Sequence, residues 1–415
     1  MSTPCTAALK VCFFNRSYWP DMAATGQLLT ELAEDLVTRD GCDVSVVAGL
    51  PLTVAAFRTW WPVSSDTHAG VRIVRANGTR LPPRRFSGRV ANYLTYCLSA
   101  AVASIGLSRL DVVVSLTDPP IVGLLGLATA RRLGAKFVFL CEDIFPEVGA
   151  LVDDFHNDTV NRALDRANRY LLAHADAVVA LGSRMKRRLV EEKGADPGRV
   201  TVIHNWADCE AIRPTPKDNT FSRAHGLVDK FVVMHSGNVG LSQDLAVLVE
   251  AAARLRHRPD VVFAIVGDGA KRSALEASVA ANGMTNVRFF PYQSKDRLND
   301  SFGTADVFIV SLAAGLEGYI VPSKLYGILA AGRPFIGAVD PSAEVAEIAR
   351  EYGCGLLAAP GNAVALADAV LRLAGNQQES AAMGRRARDA AWQFDRRRAT
   401  SAYYDLLARL AGSRA

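Results

Sequence analysis

Short apolar runs alternate with longer segments of helical periodicity along this chain, and the whole alternation occurs twice. In the first half, residues 9–15 have the continuous apolar character of a buried strand, and residues 25–37 place leucines and alanines at helical spacing. Further strands and helices alternate up to residue 204, and a second series begins at residue 231. Strands that alternate with helices indicate crossover connections and a parallel sheet covered on both faces. The pattern therefore predicts the α/β class, with two doubly wound units in one chain.

A polar segment separates the two series. Residues 205–229 contain Pro214 and Pro216 and have no long apolar period, which is typical of a domain boundary. We therefore expect a Rossmann-like domain over residues 1–205, a second Rossmann-like domain over 206–385, and a helical tail over 386–415 with a bend near Gln393 and Phe394. In such sheets ligands bind beyond the carboxyl ends of the strands, where the strand order reverses. Two such domains facing each other imply a ligand-binding cleft.

Composition and charge exclude several classes of protein. The chain has 415 residues, of which 50% are hydrophobic, so an intrinsically disordered chain is excluded. The formal net charge of +5 is too small to make the whole chain a nucleic-acid binder. Seven cysteines without a C-x-x-C pair indicate buried thiols in a reducing cytosol. The longest apolar stretch, residues 93–107, is shorter than the ~20 residues of a spanning helix. We expect a cytoplasmic protein.

Several common catalytic motifs are absent from the sequence. It contains no P-loop, no G-x-G-x-x-G after the first strand, no H-E-x-x-H and no G-x-S-x-G. No two aspartates lie two positions apart, so a D-x-D metal clamp is also missing, and the seven histidines are scattered. We therefore predict no metal site and no bound cofactor.

Three glycine-containing loops each follow a predicted strand. Residues 19–27, with Gly26 and Gln27, precede the first helix, and glycine there lets backbone N–H groups approach an anion or a sugar. The corresponding loop of the second half, residues 236–244, contains Gly237, Asn238, Gly240 and Gln243. Both are equally consistent with ordinary strand-to-helix turns. In the third loop, Asp268 and Gly269 open the helix that carries Arg272, and a simple helix cap is the alternative interpretation.

The fourth and most specific motif spans residues 315–334. Pro322 and Ser323 suit a helix start, where unpaired N–H groups and the helix dipole favour an anion. Lys324 adds a point charge there, so we predict that this segment binds a diphosphate. The predicted donor-side residues of this motif are Glu317, Tyr319, Val321, Pro322, Ser323, Lys324 and Tyr326.

The order of these four elements resembles glycosyltransferase family 4, whose members are retaining enzymes of GT-B fold. The resemblance covers nearly the whole chain and includes Ala330–Pro334 written as AAGRP, the segment 142–147 written as EDIFPE, and His204 with Asn205 at the boundary. It is closest to the subgroup that builds bacterial O-antigen, capsule and exopolysaccharide, similar to N-acetylfucosamine transferases that act on undecaprenyl-linked acceptors. The resemblance implies an acceptor site in the first domain, a nucleotide-sugar site in the second, and a last helix that crosses back to the first.

The chain departs from the family pattern at three positions. The family usually carries two glutamates eight positions apart, and the second of them corresponds to Gly327 here. Glu317 stands for the first only if two residues are inserted. The Arg and Lys that commonly follow the second-domain glycine are Asn238 and Gln243 in this chain. Lys324, Ser323 and Arg272 are our candidates to replace them at the phosphate.

The function implied is transfer of a hexosamine-type sugar from a UDP-sugar, a co-substrate and not a cofactor, to a hydroxyl of a lipid-linked saccharide. Gly237, Gly240, Ser323 and Lys324 would stabilise the charge that grows on the departing diphosphate, without metal. Glu317 would hold sugar hydroxyls, and Glu142 or Asp143 would orient the acceptor or act as a base. A capped strand end is an equally good interpretation of Glu142 and Asp143.

A basic stretch precedes the apolar segment 93–107. It contains six arginines and no acidic residue, and we predict that it docks the protein on the inner face of the cytoplasmic membrane. A solvated face beside a buried helix is the alternative. The arginines, with the adjacent phenylalanine of the predicted patch, are Arg72, Arg75, Arg80, Arg84, Arg85, Phe86 and Arg89.

Two other functions stay open at this point. One is a UDP-sugar 2-epimerase on the same architecture, which would need a carboxylate and histidine set around the sugar site of the second domain. The other is a non-catalytic GT-B subunit that binds a partner or a lipid-linked saccharide, which Asn238, Gln243 and Gly327 favour. Donor binding without hydrolysis or transfer would distinguish that subunit from an enzyme.

Overall fold

The computed structural model describes residues 8–21, 24–51, 62–81, 86–152 and 157–413. The chain divides into two compact units. The first takes its described residues from the stretches up to Glu147, from 157 to His204 and from Ala399 onward, and the second takes those from Val148 to 152 and from Asn205 to Arg398. Both units are α/β structures built around one sheet.

Among the described residues, the sheet of the first unit has eight strands in the order β3-β4-β2-β1-β5-β6-β7-β8. All neighbours are parallel except β3 and β4, which are antiparallel. The central strands are continuous apolar runs with both faces buried, as a parallel sheet under helices requires. The strands are β1 (Lys10–Phe14), β2 (Asp43–Ala48), β3 (Val63–His68), β4 (Val71–Ala76), β5 (Val112–Ser115), β6 (Lys136–Cys141), β7 (Ala177–Ala180) and β8 (Val200–Val202).

Helices connect these strands and cover the sheet. Residues 25–37, predicted as a helix, lie in the first of them, and the apolar segment 93–107 largely falls in the second. The helices of this part of the chain are α1 (Ala24–Thr38), α2 (Phe86–Ile105), α3 (Val122–Leu133), α4 (Glu147–Val152), α5 (Asp158–His174) and α6 (Ser183–Glu191), and of these α4 belongs to the second unit except for Glu147.

The sheet of the second unit has six parallel strands in the order β11-β10-β9-β12-β13-β14. Buried valine, isoleucine and phenylalanine side chains fill both faces. The strands are β9 (Phe231–Ser236), β10 (Val261–Val266), β11 (Val287–Phe290), β12 (Val307–Ser311), β13 (Phe335–Ala338) and β14 (Gly355–Ala358).

Nine further helices follow His204, and the last belongs mainly to the first unit. The helical tail consists of two helices, and the short 3₁₀ turn that separates them, Trp392–Phe394, coincides with the bend predicted near Gln393 and Phe394. The boundary predicted at residue 386 falls inside the earlier helix, and the residues from Ala399 onward join the first unit. The helices are α7 (Thr220–Ala224), α8 (Ala246–Arg254), α9 (Arg272–Ala281), α10 (Leu298–Thr304), α11 (Lys324–Ala330), α12 (Glu344–Tyr352), α13 (Ala363–Gly375), α14 (Gln377–Ala391) and α15 (Arg396–Gly412).

Candidate functional site

The strand order of the second sheet reverses between β9 and β12. The chain proceeds from β9 to β10 and β11 on one side, then returns to β12, β13 and β14 on the other. Such a switch point leaves a crevice beyond the carboxyl ends of the two strands. The loops that follow β9 and β12 contain the motifs of residues 236–244 and 315–324. The topology thus brings two of the four predicted motifs to one edge of the sheet.

The loops after β9 and β10 interlock through their backbones. The N–H of Gly237 donates to the Val266 carbonyl at 2.9 Å, and the N–H of Val239 donates to the Asp268 carbonyl at 2.8 Å. Gly267 has a φ of +136°, and a Cβ there would lie 1.9 Å from the Gly237 carbonyl oxygen. Position 267 needs a glycine because the backbones of the two loops touch there and leave no room for a Cβ.

Lys324, the first residue of α11, lies against the end of β9. A Cβ built on Gly237 would lie 3.6 Å from Cε and 3.7 Å from Nζ of Lys324, and that Nζ is 3.4 Å from Nε2 of His235. Burial lowers the pKa of Lys324 from 10.5 to about 7. The lysine ammonium therefore lies beside the turn where a diphosphate was predicted.

His235 is fully buried at the end of β9. Its Nε2 is 3.3 Å from the Asn238 carbonyl oxygen, and its Nδ1 has no hydrogen-bond partner among the described residues. Burial, and the charge of Lys324 in second place, hold the pKa of His235 well below its ordinary value of 6.5. Of Lys324 and His235, the lysine is thus the residue that carries a positive charge near neutral pH. No sequence motif pointed to His235, although its place at the end of a strand at the switch point is a signal that could have found it.

Asn238 and Gln243 shape the turn after β9. The Oε1 atom of Gln243 accepts from the Gly240 N–H at 3.1 Å, and a Cβ on Gly240 would lie 2.7 Å from Nδ2 of Asn238. Ser311, at the end of β12, donates to the Gln243 carbonyl. The side chains of Asn238 and Gln243 are therefore neutral groups packed around Gly240.

Arg272 and Asp268 hold the loop after β10. The Nη1 atom of Arg272 donates to the carbonyls of Gly267 and Phe290, the latter at 3.0 Å, and its Nε donates to Glu276 at 2.8 Å. Arg272 thus ties together the ends of β10 and β11. Asp268 accepts from the Gly269 N–H at 2.8 Å and does not cap α9, whose N-cap residue is Lys271. The alternative of a simple helix cap is wrong for Asp268.

The residues before α11 lead from the loop into the helix. Glu317 and Tyr319 are half-buried, and the segment 317–320 closes on itself through a backbone bridge between Glu317 and Ile320. Val321, Pro322 and Ser323 are also half-buried. Ser323 is the N-cap residue of α11, but its side chain makes no capping hydrogen bond. The segment therefore delivers Lys324 to the end of β9 without using the serine hydroxyl as a cap.

Two other positions of α11 face the hydrophobic core. Tyr326 is 1% exposed, and its ring packs against Phe394 at a centroid distance of 5.2 Å. A Cβ on Gly327 would lie 3.3 Å from the Phe302 ring and 3.8 Å from the Ile212 side chain. The side chain of a glutamate at position 327 would start between Phe302 and Ile212, in apolar surroundings. The structure therefore brings neither Tyr326 nor Gly327 to Lys324 and His235.

The first sheet has its own switch point, between β1 and β5. Nε of Arg16 is 3.2 Å from Oδ1 of Asp118, and the Ser17 hydroxyl donates to Oδ2 at 2.9 Å. The Arg16 N–H also donates to the Asp118 carbonyl at 2.7 Å. Sequence reasoning missed all three residues because no motif spacing links the ends of β1 and β5.

Glu142 and Asp143 follow β6, the strand next to β5. Burial, and the charge of Asp118 in second place, raise the pKa of Asp143 from 3.8 to about 7. Glu142 acts electrostatically on the buried Tyr403 of α15, whose pKa burial raises well above 10. Asp143 is therefore influenced by the charge of Asp118, whereas Glu142 influences Tyr403 of the last helix, α15.

Gly26 is a buried packing position of α1. A Cβ there would lie 3.5 Å from the backbone N of Tyr18, and its carbonyl accepts from the Thr30 hydroxyl at 2.7 Å. Gln27, the next residue, is half-buried. These are ordinary van der Waals distances, so packing of α1 against the loop after β1 does not by itself require a glycine at position 26.

The predicted membrane patch is only partly described. Arg84 and Arg85 lie outside the described residues, and so does the side chain of Phe86. Arg80 is exposed and Arg89 is half-buried. Arg75 was wrongly placed in the surface stretch, because it is 1% exposed and donates to the Trp19 carbonyl at 2.6 Å.

Helix α2 exposes a line of apolar side chains to solvent. These side chains follow one another at spacings of four, four and three positions, which places them on one face of the helix. Their exposed fractions are 50% for Leu94, 69% for Leu98, 52% for Val102 and 72% for Ile105. We call these four residues the α2 stripe. Within the part of the chain that the structure describes, no helix combines the length and apolar character that spanning a bilayer requires.

Two family models match the chain, one in each half. Residues 24–206 match the model of a glycosyl transferase 4-like domain, and residues 217–390 match the model of glycosyl transferases group 1. The two matches leave only the junction and the ends uncovered. Both halves of the chain are thus similar to glycosyltransferase domains.

Individual relatives give the same result. The chain is 30% identical over 261 residues to WbjE of Pseudomonas aeruginosa, described as a probable glycosyltransferase; the match covers 62% of this chain and 65% of WbjE. It is 26% identical over 367 residues to WcaI of Escherichia coli, named as a glycosyl transferase of colanic acid biosynthesis. This match covers 83% of this chain and 86% of WcaI. The chain thus spans just under two thirds of the first relative and most of the second.

The fold is also found in a solved structure. Anabaena HepE in complex with UDP and glucose superposes with a TM-score of 0.73 at 16% identity, over 96% of this chain and 99% of HepE. HepE is one of the GT-B glycosyltransferases that share this pair of sheets. The chain therefore carries a glycosyl transferase 4-like domain followed by a glycosyl transferases group 1 domain, and it has the GT-B fold.

Proposed function

We propose that this chain is a retaining glycosyltransferase of bacterial surface polysaccharide synthesis. It transfers a sugar of the N-acetylhexosamine type from a UDP-sugar to a hydroxyl of a lipid-linked saccharide. The single observation that carries the proposal is the ammonium of Lys324, which lies against Gly237 at the switch point of the second sheet. The names of WcaI and WbjE, and the UDP bound to HepE, support the same assignment.

The chemistry requires stabilisation of a departing diphosphate. Breaking the bond between sugar and diphosphate develops negative charge on the leaving oxygen, and preorganised donors that face this oxygen lower the barrier. Lys324 supplies the positive charge, and the turn 237–240 brings backbone close to it. Because Asn238 and Gln243 are neutral, Lys324 takes the place of the cations that the family carries in that turn.

The acceptor side of the proposal uses the first unit. Asp143 follows β6, and its N–H donates to the hydroxyl of Thr117, the neighbour of Asp118, at 3.3 Å. Its pKa, raised to about 7, leaves the side chain protonated in about half of the molecules near pH 7. A carboxyl group in this state both donates to and accepts from sugar hydroxyls. In the proposed reaction Asp143 orients the acceptor, while the departing phosphate takes the acceptor proton on the same face of the sugar.

The α2 stripe and its basic neighbours support the proposed membrane association. The stripe places four apolar side chains on one solvent-exposed face, and Arg80 and Arg89 lie before and within the first turns of α2. An apolar face beside cations fits an anionic bilayer, because apolar burial and attraction to anionic lipid act together. In this proposal α2 holds the protein at the inner face of the cytoplasmic membrane, where a lipid-linked acceptor is found.

A charge-removing substitution tests the proposal. Lys324→Met should weaken UDP binding about tenfold to a hundredfold, the usual effect of losing a hydrogen bond to a charged group, and should reduce sugar transfer at least as much. Calorimetry with UDP and product analysis of transfer to a lipid-linked saccharide measure the two effects. Lys230→Met is the matched control, because Lys230 lies just before β9 at the opposite edge of the sheet and donates to the Pro259 carbonyl.

The same assay separates the alternatives. Equal UDP affinity in Lys324→Met and Lys230→Met would contradict the proposed donor site. UDP-sugar binding with neither hydrolysis nor transfer would indicate a non-catalytic subunit, and formation of a C2 epimer of the donor would indicate an epimerase. Retention is tested by the anomeric configuration of the product, which NMR should show to be that of the donor.

A further inference from the structure

Arg16 is held in a fixed position at the switch point of the first sheet. Its Nε is bound to Asp118, its backbone N–H donates to the Asp118 carbonyl, and its carbonyl accepts from the Gly49 N–H at 2.8 Å. The guanidinium lies over the ring of Tyr93, with Cζ 5.5 Å from the ring centroid. Backbone, ion pair and aromatic ring together orient this side chain.

The outer half of the Arg16 guanidinium is available to a ligand. Neither Nη1 nor Nη2 donates to any acceptor among the described residues, and the side chain is 21% exposed. A guanidinium fixed through Nε presents its terminal N–H groups as a planar fork, which matches the oxygens of a phosphate. The two terminal nitrogens of Arg16 are thus donors for an anion, and no acceptor among the described residues occupies them.

Tyr93 connects this anion site to the α2 stripe. Arg89 lies one turn before Tyr93 on the same face of α2, and Leu94 and Leu98 begin the adjacent, exposed apolar face. Two carboxylates also act on Arg16: Asp118, whose oxygens already bind Arg16 and Ser17, and Asp21. Asp21 also acts on a second cation, the buried Arg75, so two arginines face these two carboxylates.

We propose that Arg16 binds the phosphate group of an amphiphilic acceptor whose hydrocarbon chain lies along the α2 stripe. This inference rests on the proposed function, because it assigns a site to the lipid-linked acceptor. The ligand class is a lipid phosphate or diphosphate, which combines an anion with an apolar chain. An anion site and an apolar helix face that meet at Tyr93 fit both parts of such a molecule.

Farnesyl diphosphate is the probe that tests this site, with inorganic diphosphate and farnesol as its two separate halves. We expect full-length protein to bind farnesyl diphosphate at least about tenfold more tightly than either half, because apolar burial adds to the anion contact. Arg16→Gln should weaken binding of farnesyl diphosphate about tenfold or more. Leu98→Ser should weaken farnesyl diphosphate and leave inorganic diphosphate unchanged.

Further variants keep the result interpretable. Arg166→Gln, on exposed α5 of the same unit, is the control for loss of a surface arginine and should bind as the wild type. Arg16→Lys keeps the charge at Asp118 but lacks the planar fork, so it should lose affinity severalfold even if Arg16→Gln does not fold. Circular dichroism reports the folding of each variant.

Three results would overturn the inference. The first is an unchanged affinity for farnesyl diphosphate in both Arg16 variants, and the second is equal affinity of the wild type for inorganic and farnesyl diphosphate. The third is a loss of farnesyl diphosphate binding in Lys324→Met but not in Arg16→Gln. The last result would place the probe at the donor site of the second unit. Failure of the protein to bind UDP would instead contradict the proposed donor site and leave the effect of Arg16→Gln intact.

Discussion

Lys324 and His235 form a pair in which the lysine alone carries charge near neutral pH. His235 is fully buried and its pKa lies well below 6.5, whereas the pKa of Lys324 is lowered to about 7. A bound diphosphate would favour the protonated lysine, because an opposite charge nearby raises the pKa of an ammonium. Donor binding should therefore be coupled to uptake of a proton by Lys324.

This coupling predicts the pH dependence of UDP binding. With a pKa of about 7 in the empty site, Lys324 loses its proton as the pH rises, so the Kd for UDP should increase between pH 7 and 9 by up to about tenfold per pH unit. Lys324→Arg should flatten the profile, because a guanidinium stays protonated throughout this range. Calorimetry in buffers of different ionisation enthalpy measures the proton uptake. A wild-type Kd that is constant from pH 7 to 9 would contradict the assignment.

Residue identity could be predicted where a local motif delivers the side chain. Lys324 was predicted because proline and serine mark a helix start, and the structure places it at the end of β9. Tyr326, two positions later, was grouped with it, but the helical turn directs Tyr326 into the core. Arg16, Asp118 and His235 have no motif, because separate strand ends bring them to their sites.

At the scale of elements, the loops after β9 and β10 are one structural unit. Gly267 and Gly237 approach so closely that neither loop can change without the other. The backbone hydrogen bonds between Gly237 and Val266 and between Val239 and Asp268 fix this arrangement. The turn beside Lys324 is therefore rigid before any ligand binds.

Gly267→Ala tests this coupling between loops. A Cβ at position 267 would lie 1.9 Å from the Gly237 carbonyl oxygen, so both loops must move, and we expect a loss of UDP affinity together with a lower melting temperature. Gly283→Ala is the matched control, since Gly283 also has a positive φ, +59°, but a Cβ there meets nothing within 4 Å. Thermal unfolding with and without UDP measures both effects. Equal behaviour of the two variants would show that the loop contact does not matter.

The α2 stripe gives a prediction about membrane binding. Leu98→Asp places a charge on the most central exposed position of the stripe and should strongly reduce flotation with vesicles of phosphatidylglycerol and phosphatidylethanolamine. Leu124→Asp, at a leucine of α3 that is 38% exposed, is the control and should float as the wild type. Flotation that is insensitive to Leu98→Asp would contradict a role of α2 in docking.

Elements with a continuous apolar pattern could be predicted from the sequence, and polar edge elements could not. The buried strand β1 lies within the apolar run predicted at residues 9–15, and β9 begins at residue 231, where the second series was predicted to begin. Strand β3 was missed because its residues are mostly polar and half-exposed at the sheet edge, where only pairing with β4 defines a strand. The bend of the helical tail was predicted near Gln393 and Phe394, and the 3₁₀ turn Trp392–Phe394 lies there, next to the pairing of Ala207 with Asp395.

At the scale of the whole molecule, each unit places its chemistry at its own switch point. The first sheet brings Arg16 and Asp118 together, and the second brings Lys324 to Gly237. Helix α15 returns the chain to the first unit, where the Thr400 hydroxyl donates to Asp35 at 2.9 Å. The proposed division of labour, donor in the second unit and acceptor in the first, follows from these two clusters.

A crystal structure of the protein with UDP tests the donor site most directly. The account predicts the diphosphate at the carboxyl edge of the second sheet, with Nζ of Lys324 within about 3 Å of a phosphate oxygen. A nucleotide bound at another place, or a Lys324 ammonium turned away from the phosphates, would contradict it.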